Sequence, residues 1–482
     1  MINFRIIARA FSQVLIIEGL FMLVSAGVSI IYKDSSASSF VYSALITIVT
    51  GVLVFTPLRN EEKVYGSREG YIINTGIWIL FSAFGTLPFL LSGCTGSFTD
   101  AFFESISGFT TTGATIFNDV ESLPRGILFW RSLTQWLGGL AVITLSFYVL
   151  PVMKSLNIQL STTEFSGQLA DKIHPKVIET SKRLILIYII LTLAEIFLLT
   201  VGKMPLFDAI CHSLSTLSTG GFSTRNNGIA AFSSPYLRAI IAIFMFFAGT
   251  NLVVFYFAIK NQFRKIVRYN EFVFYAGIGL GFSLLVTALL YFRSGISLPN
   301  AIRDGFFHVL SILTTTGFYT ENFSSWGSLL ITVIFILMFT GAMAGSPSGG
   351  IKIIRLLIIA RNNRNETRKL VHPFAYVPVR IDQKSVPQGI VYNLLIFITF
   401  YFIFICAGTF AVSLLGYDII TSFSTTASMI GNIGPGLGHF GPFTSYADMP
   451  LMGKWFLGGL MLLGRLELLT VIILFTRSFY SR

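Results

Sequence analysis

The chain has 482 residues, 53% of them hydrophobic and only 12% charged, with 48 Phe and a formal net charge of +12. Soluble domains carry about 25% charged residues, so this composition excludes an ordinary soluble protein and points to a membrane protein in a lipid bilayer. Three scattered cysteines (Cys94, Cys211, Cys406) and five dispersed histidines exclude a disulfide framework and a His/Cys metal motif.

Apolar stretches long enough to cross a bilayer, about 20 residues each, are predicted at 10–31, 40–58, 71–93, 128–153, 183–202, 236–260, 271–293, 326–361, 388–415 and 449–477. The first has no convincing small-residue cleavage site and reads as a retained helix. Four shorter runs, opened by Asp100, Asp208, Asp304 and Asp418, lie between spans three and four, five and six, seven and eight, and nine and ten. At about a dozen residues they are too short to cross and are predicted to be re-entrant helices. The unit of span, short helix, polar strand and span therefore recurs at 71–179, 180–268, 269–385 and 386–482, behind a peripheral pair at 1–70. The predicted fold is an all-α integral membrane protein, its four pseudo-symmetric repeats set around a central ion pore.

With the N-terminus placed inside, 24 of the 34 basic residues fall on inner segments, the positive-inside pattern, which places both termini in the cytoplasm. The net charge is then a topology signal, and nucleic-acid binding is excluded as its cause. The two longest inner connections, 154–182 and 361–387, read as cytoplasmic loops, the second solvated or suited to docking a soluble partner.

Each Asp is expected to cap its short helix by accepting free amides of the first turn. Behind the helices come the polar strands: Thr110, Thr111, Thr112 and Gly113; Ser218, Thr219, Gly220 and Gly221; Thr314, Thr315, Thr316 and Gly317; and Gly431, Asn432, Ile433 and Gly434. Glycine tolerates positive φ, so carbonyls of all four strands can turn to one axis and replace an ion's hydration shell. No acidic side chain lies in the strands, which favours a weakly hydrated monovalent cation, K⁺, over divalents. Threonine hydroxyls add oxygen at the inner end or brace the strand from behind.

Two features fall where a gate belongs. Span eight is interrupted by a run containing Gly341, Gly345, Ser346, Ser348, Gly349 and Gly350, which cannot continue as regular helix. Arg465 sits mid-span, where a cation costs roughly 2.5–3.5 kcal/mol on insertion scales unless it meets water or a partner. It either projects into the pore below the strands and slows cations by repulsion, or pairs with an acid from another helix. Glu467, two residues on, is expected to face elsewhere.

The strands Phe109–Gly113, Ser218–Thr224, Thr314–Phe318 and Gly431–Gly436 resemble the four filter motifs of the Trk/Ktr/HKT potassium-transporter superfamily, and the extra N-terminal pair is similar to its Trk branch. The resemblance covers roughly 71–477. It implies a K⁺-conducting pore in each subunit of a homodimer in a bacterial inner membrane, and a cytosolic nucleotide-binding regulatory ring. It also implies that the interrupted stretch is an intramembrane loop blocking ion flow, and that Arg465 matches the arginine of a Gly-Arg-x-Glu motif. Potassium is then the transported ion, with no organic cofactor in this chain.

Two alignments stay open. The thirteen-residue spacing from Asp418 selects Gly431, whereas the family pattern favours Gly434 with a small insertion, and Gly220 competes with Gly221. Ion-coupled symport is the rival mechanism, with Glu18, Glu195 and Glu467 the few acids inside spans. An enzyme is not expected, since no embedded nucleophile–base pair, metal cluster or phosphate loop is present.

Overall fold

The computed structural model describes residues 2–59, 66–154, 174–374 and 377–480. Most of the predicted connection 154–182 lies outside these residues. The chain is a multi-pass, almost wholly helical membrane protein. Six described helices are long and apolar enough to cross a bilayer, or eight if each of two bent pairs counts as one span.

Helix α1 (Phe4–Tyr32) starts where the Asn3 side chain accepts the Arg5 amide at 3.1 Å, and ends at Lys33 in the left-handed region. It packs along α2 (Ala37–Phe55) through small residues. The fit is tight: a Cβ on Gly19 would stand 2.4 Å from Ile48 Cγ1. The opposite faces, with Leu20, Leu45 and Leu53, are exposed and apolar, as lipid-facing surface must be.

Four repeats follow. The first is α3 (Ser67–Gly85), short helix α4 (Phe98–Phe109) and α5 (Arg125–Lys154). The second is α6 (His174–Val201), short helix α7 (Leu206–Leu217), then α8 (Pro235–Ala248) and α9 (Leu252–Ile259). The third is α10 (Asn270–Ser294), short helix α11 (Leu298–Leu313), then α12 (Ser328–Leu337) and α13 (Ile353–Val371). The fourth is α14 (Gln388–Ser413), short helix α15 (Ile419–Gly431), then α16 (Leu451–Arg465) and α17 (Leu469–Ile472). The short helices are the innermost elements, and α7 is buried at nearly every position from Phe207 to Leu217.

The structure corrects the spans in two places. Besides the expected interruption of span eight, span six bends by 100° between α8 and α9, and span ten by 108° after α16. At the first bend Asn251 restarts the helix by accepting the Val253 amide at 2.9 Å. At the second, Glu467 and Leu468 take positive φ. Apolar residues flank both breaks, so hydropathy reads straight across them. The predicted loop at 361–387 is helical as far as Val371, because Arg and Lys extend the helix begun by Ile353. It then turns through a two-residue hairpin (Arg380–Ile381 with Lys384–Ser385) whose Asp382 and Gln383 both have positive φ, the type I′ geometry. The expected boundaries after residues 70 and 179 cut α3 and α6, whose polar first turns escape a count of apolar residues.

Candidate functional site

All four short helices end the same way. In α4, the Thr111 amide returns to Gly108 O at 2.9 Å and the Thr112 amide to Ser107 O at 2.9 Å. The same pair of bonds recurs at Thr219 and Gly220, at Thr315 and Thr316, and at Asn432 and Ile433. This is the Schellman ending, which needs a left-handed residue immediately after the helix cap. Thr111, Thr219, Thr315 and Asn432 fill that role, with φ between 53° and 56°. Asparagine adopts it readily, but a β-branched threonine is strained there by about 1–3 kcal/mol.

Two residues further on stand Gly113, Gly221, Gly317 and Gly434, all with φ between 76° and 98°. Backbone geometry thus resolves both alignments: Gly434 and Gly221 occupy the equivalent positions. Gly431 is the last residue of α15, matching Thr110, and Gly220 matches Thr112. Asp418 stands three positions upstream of the residue equivalent to Asp100, which is Thr421.

The strands meet in a closed cycle. A Cβ on Gly113 would lie 2.1 Å from Gly220 O, on Gly221 2.0 Å from Thr316 O, on Gly317 1.9 Å from Ile433 O, and on Gly434 2.5 Å from Thr112 O. Each strand therefore sets one carbonyl against the glycine of a neighbour, in the order one, two, three, four and back to one. Only glycine satisfies both the positive φ and this approach. Above the ring lies a cavity of about 440 Å³ lined by all four glycines. Behind it, the hydroxyls of Thr110, Ser218 and Thr314 bond back to their own helices at 2.6–2.8 Å. The Thr111 and Thr219 hydroxyls are buried without a protein partner among the described residues.

The capping expectation holds at one Asp. Asp418 accepts the amides of Ile420 and Thr421 at 3.2 Å. Asp100 lies within the first turn, capped by Ser97, and pairs with Lys454 at 2.7 Å. Asp208 is also within its first turn and binds Arg225 at 2.7 Å and the Thr224 hydroxyl at 2.7 Å. Asp304 is further inside α11 and accepts from Nε and Nη2 of Arg303. These three are correctly spaced from the glycines, but their helices start earlier than the charge suggests.

Beneath the ring the three broken spans converge. The irregular segment between α12 and α13 places Gly349 under strands three and four: its amide donates to Thr315 Oγ1 at 2.8 Å, and a Cβ there would meet Gly431 O at 2.2 Å. Residues from the second repeat hold its near side, with Asn251 donating to Ala344 O at 2.7 Å and the Met343 amide to Gly249 O at 3.0 Å. Lys352 folds back onto the Ser346 and Ser348 carbonyls. Gly341 lies against Gly349 O, and Gly345 and Gly350 have positive φ.

Arg465 is buried, donates to Pro347 O of this segment and, at 3.2 Å, to Gly138 O of α5. Among the described residues no carboxylate pairs with it, and its bonds there go to backbone carbonyls. Glu467 faces elsewhere, as expected, and binds Arg355 of α13 at 2.6 Å. Arg465, Lys352, Glu467, Ser348, Gly349 and Gly350 border a cavity of only about 40 Å³.

One set of residues was not recognised in the sequence. Nine positions before each glycine stand Glu104, His212, His308 and Thr425. The first three reach forward to chain just beyond the ring: Glu104 to the Ile116 amide at 2.9 Å, His212 to Ser223 Oγ at 2.9 Å, and His308 to the Thr320 amide at 3.3 Å. Their differing chemistry conceals the equivalence. A serine six positions before each glycine (Ser107, Ser215, Ser311, Ser428) was the register mark that exposes it.

Comparison with known proteins agrees with this architecture. The TrkH family, described as cation transport protein, matches residues 36–481. The Trk system potassium uptake protein TrkH of Salmonella typhimurium is 35% identical, covering 99% of each chain. The Trk system potassium uptake protein TrkG of Escherichia coli is 33% identical, covering 99% of this chain and 98% of its own. The crystal structure of the potassium transporter TrkH from Vibrio parahaemolyticus superposes with a TM-score of 0.92 at 31% identity, covering 100% of both chains.

Proposed function

We propose that this chain, which belongs to the TrkH family of cation transport proteins, takes up potassium through a channel-like pore whose selecting element is the four-strand ring. The observation that carries this reading is the closed cycle in which each strand's carbonyl faces its neighbour's glycine. A ring of backbone oxygens with no carboxylate suits a weakly hydrated monovalent cation. The relatives named above are potassium uptake proteins, and their likeness over the whole chain supports K⁺ as the cargo.

The residues of the ring are Thr110–Gly113, Ser218–Gly221, Thr314–Gly317 and Asn432–Gly434. The gate is the segment from Gly341 to Gly350 together with Arg465. The small cavity and the two carbonyls held by Arg465 support a closed state, in which a buried cation faces the exit from the ring. In this reading α13 and the other inner connections lie in the cytoplasm and the ring toward the outside of an inner membrane, which the basic excess supports. Homodimeric assembly and a cytosolic nucleotide-binding ring acting on the gate complete the proposal, as the family resemblance implies.

Flux through liposomes of purified protein, with K⁺, Rb⁺, Na⁺ and Li⁺, tests it. K⁺-preferring flux that ignores an imposed proton gradient is expected. The buried carboxyls Glu18 and Glu195 keep ion-coupled uptake as the second reading, and flux that requires a Na⁺ or proton gradient would establish it. Absence of K⁺ flux under every condition would overturn both.

A further inference from the structure

The three residues that brace the ring from behind are chemically unequal, and among the described residues only the first quarter uses a buried ion pair. Glu104 is 1% exposed and accepts Arg131 Nε at 2.7 Å, the Ile116 amide at 2.9 Å and the Thr115 hydroxyl at 3.1 Å. Arg131, on α5, is 2% exposed. Its remaining nitrogens go to two different strands. Nη2 donates to the Thr115 hydroxyl at 3.1 Å, two residues past Gly113, and Nη1 donates to Ser223 O at 3.1 Å, two residues past Gly221. The guanidinium also lies 4.2 Å over the Phe222 ring. One turn along α5, Gln135 holds strand two, donating to Gly220 O at 2.7 Å and accepting the Phe222 amide at 3.1 Å.

Burying two charges costs several kcal/mol each, and an apolar pair of the same volume is often equally stable or more so. Stability is therefore a poor account of this pair. Its geometry supplies a better one. A guanidinium is planar, with five donors in a fixed fork. Anchored on Glu104, that fork sets the separation between the exits of strands one and two, where Gly113 and Gly220 O make their close approach.

We propose that Arg131, held by Glu104, is a positioning residue for ion selection: it fixes the spacing of the first two strands and so keeps the ring from contracting around a smaller cation. His212 and His308 serve the second and third quarters with an imidazole in place of the ion pair. The inference rests on the reading of the ring as the selecting element. It adds residues that touch no ion.

The test is the K⁺/Na⁺ and K⁺/Li⁺ flux ratio of the full-length protein in liposomes, measured for wild type, Arg131→Gln, Arg131→Lys and Thr115→Val. Arg131→Lys retains a cation for Glu104 but cannot reach Thr115 and Ser223 O together. It should keep wild-type thermal stability while the K⁺/Na⁺ ratio falls at least about fivefold, the change produced by losing about one net hydrogen bond. Arg131→Gln should fall further, and Thr115→Val less. If both Arg131 variants misfold, Thr115→Val decides, since it removes one hydroxyl from a half-buried residue. A wild-type protein that passes K⁺ and Na⁺ equally defeats the ring reading. A selective wild type whose ratio survives in the folded variants defeats this one.

Discussion

The ring and the layer beneath it are built from the same four repeats by opposite means. In the ring, equivalent backbone atoms do equivalent things: four Schellman endings, four positive-φ glycines and four carbonyl approaches within 0.6 Å of one another. Beneath it, the repeats diverge. The first inner helix, α5, runs unbroken, the second and fourth bend by 100° and 108°, and the third opens into an irregular segment. Long cationic side chains, Arg465 and Lys352, fill the space. Backbone contacts tolerate almost no variation, because each carbonyl fits only against a neighbour without Cβ. Side-chain contacts can be remade, which suits the proposed gate.

Breaking the ring should produce the largest effect. Gly221→Ala places a Cβ 2.0 Å from a backbone carbonyl at a φ of +81°. The left-handed conformation alone costs about 1–2 kcal/mol, and the overlap adds to it, so K⁺ preference should be lost and flux should fall at least about tenfold, equivalent to ~1.4 kcal/mol. Gly220→Ala is the internal control. Its Cβ would press first on the Gln135 side chain rather than on backbone, and its φ is not positive, so the same flux assay should show a milder defect. Equal damage at both positions would contradict the assignment of Gly221 to the ring.

Loosening the inner layer should act more gently and in the other direction. Glu467→Gln weakens the tie between α13 and the bend after α16, and the Glu467 side chain is 43% exposed. Solvent screening limits such a pair to about 1 kcal/mol or less, so flux should rise a few-fold with the K⁺/Na⁺ ratio unchanged.

The smallest effect belongs to Asp418, outside both layers. Thr421, chiefly through its side chain, and the amides of Thr421 and Ile420 hold its carboxyl below the usual carboxylate range. A depressed carboxyl contributes stability that is present above its unfolded value of about 4 and lost as pH falls through the lower folded value. Asp418→Ala should cost about 0.5–1 kcal/mol of thermal stability near neutral pH, less in acid. Flux should not change.

How much of this was visible in the sequence follows the same division. The ring was legible because glycine and threonine recur in register, and positive φ leaves few other choices. The fourth quarter was ambiguous because Asp418 is an N-cap three positions upstream of the other Asp equivalents, so spacing from it selects the end of α15. The bends at Gly249–Asn251 and Glu467–Leu468 were hidden by apolar residues on both sides. The interruption before α13 was visible because it concentrates glycine, serine and proline. The brace at Glu104, His212 and His308 was hidden by its unlike side chains. Arg131 could not be linked to Ser223 at all, since 92 residues separate them and only the folded ring brings them together.

We propose that selection resides in the ring and permission in the layer below. Arg465→Ala removes the buried cation and its ties to Pro347 and Gly138 while leaving the four strands intact. Its K⁺ flux and K⁺/Na⁺ flux ratio should be measured together in liposomes of known protein content. Flux raised about tenfold, as for ~1.4 kcal/mol taken off the barrier, with a wild-type ratio is the predicted result. Unchanged flux, or a ratio that collapses as flux rises, would contradict it.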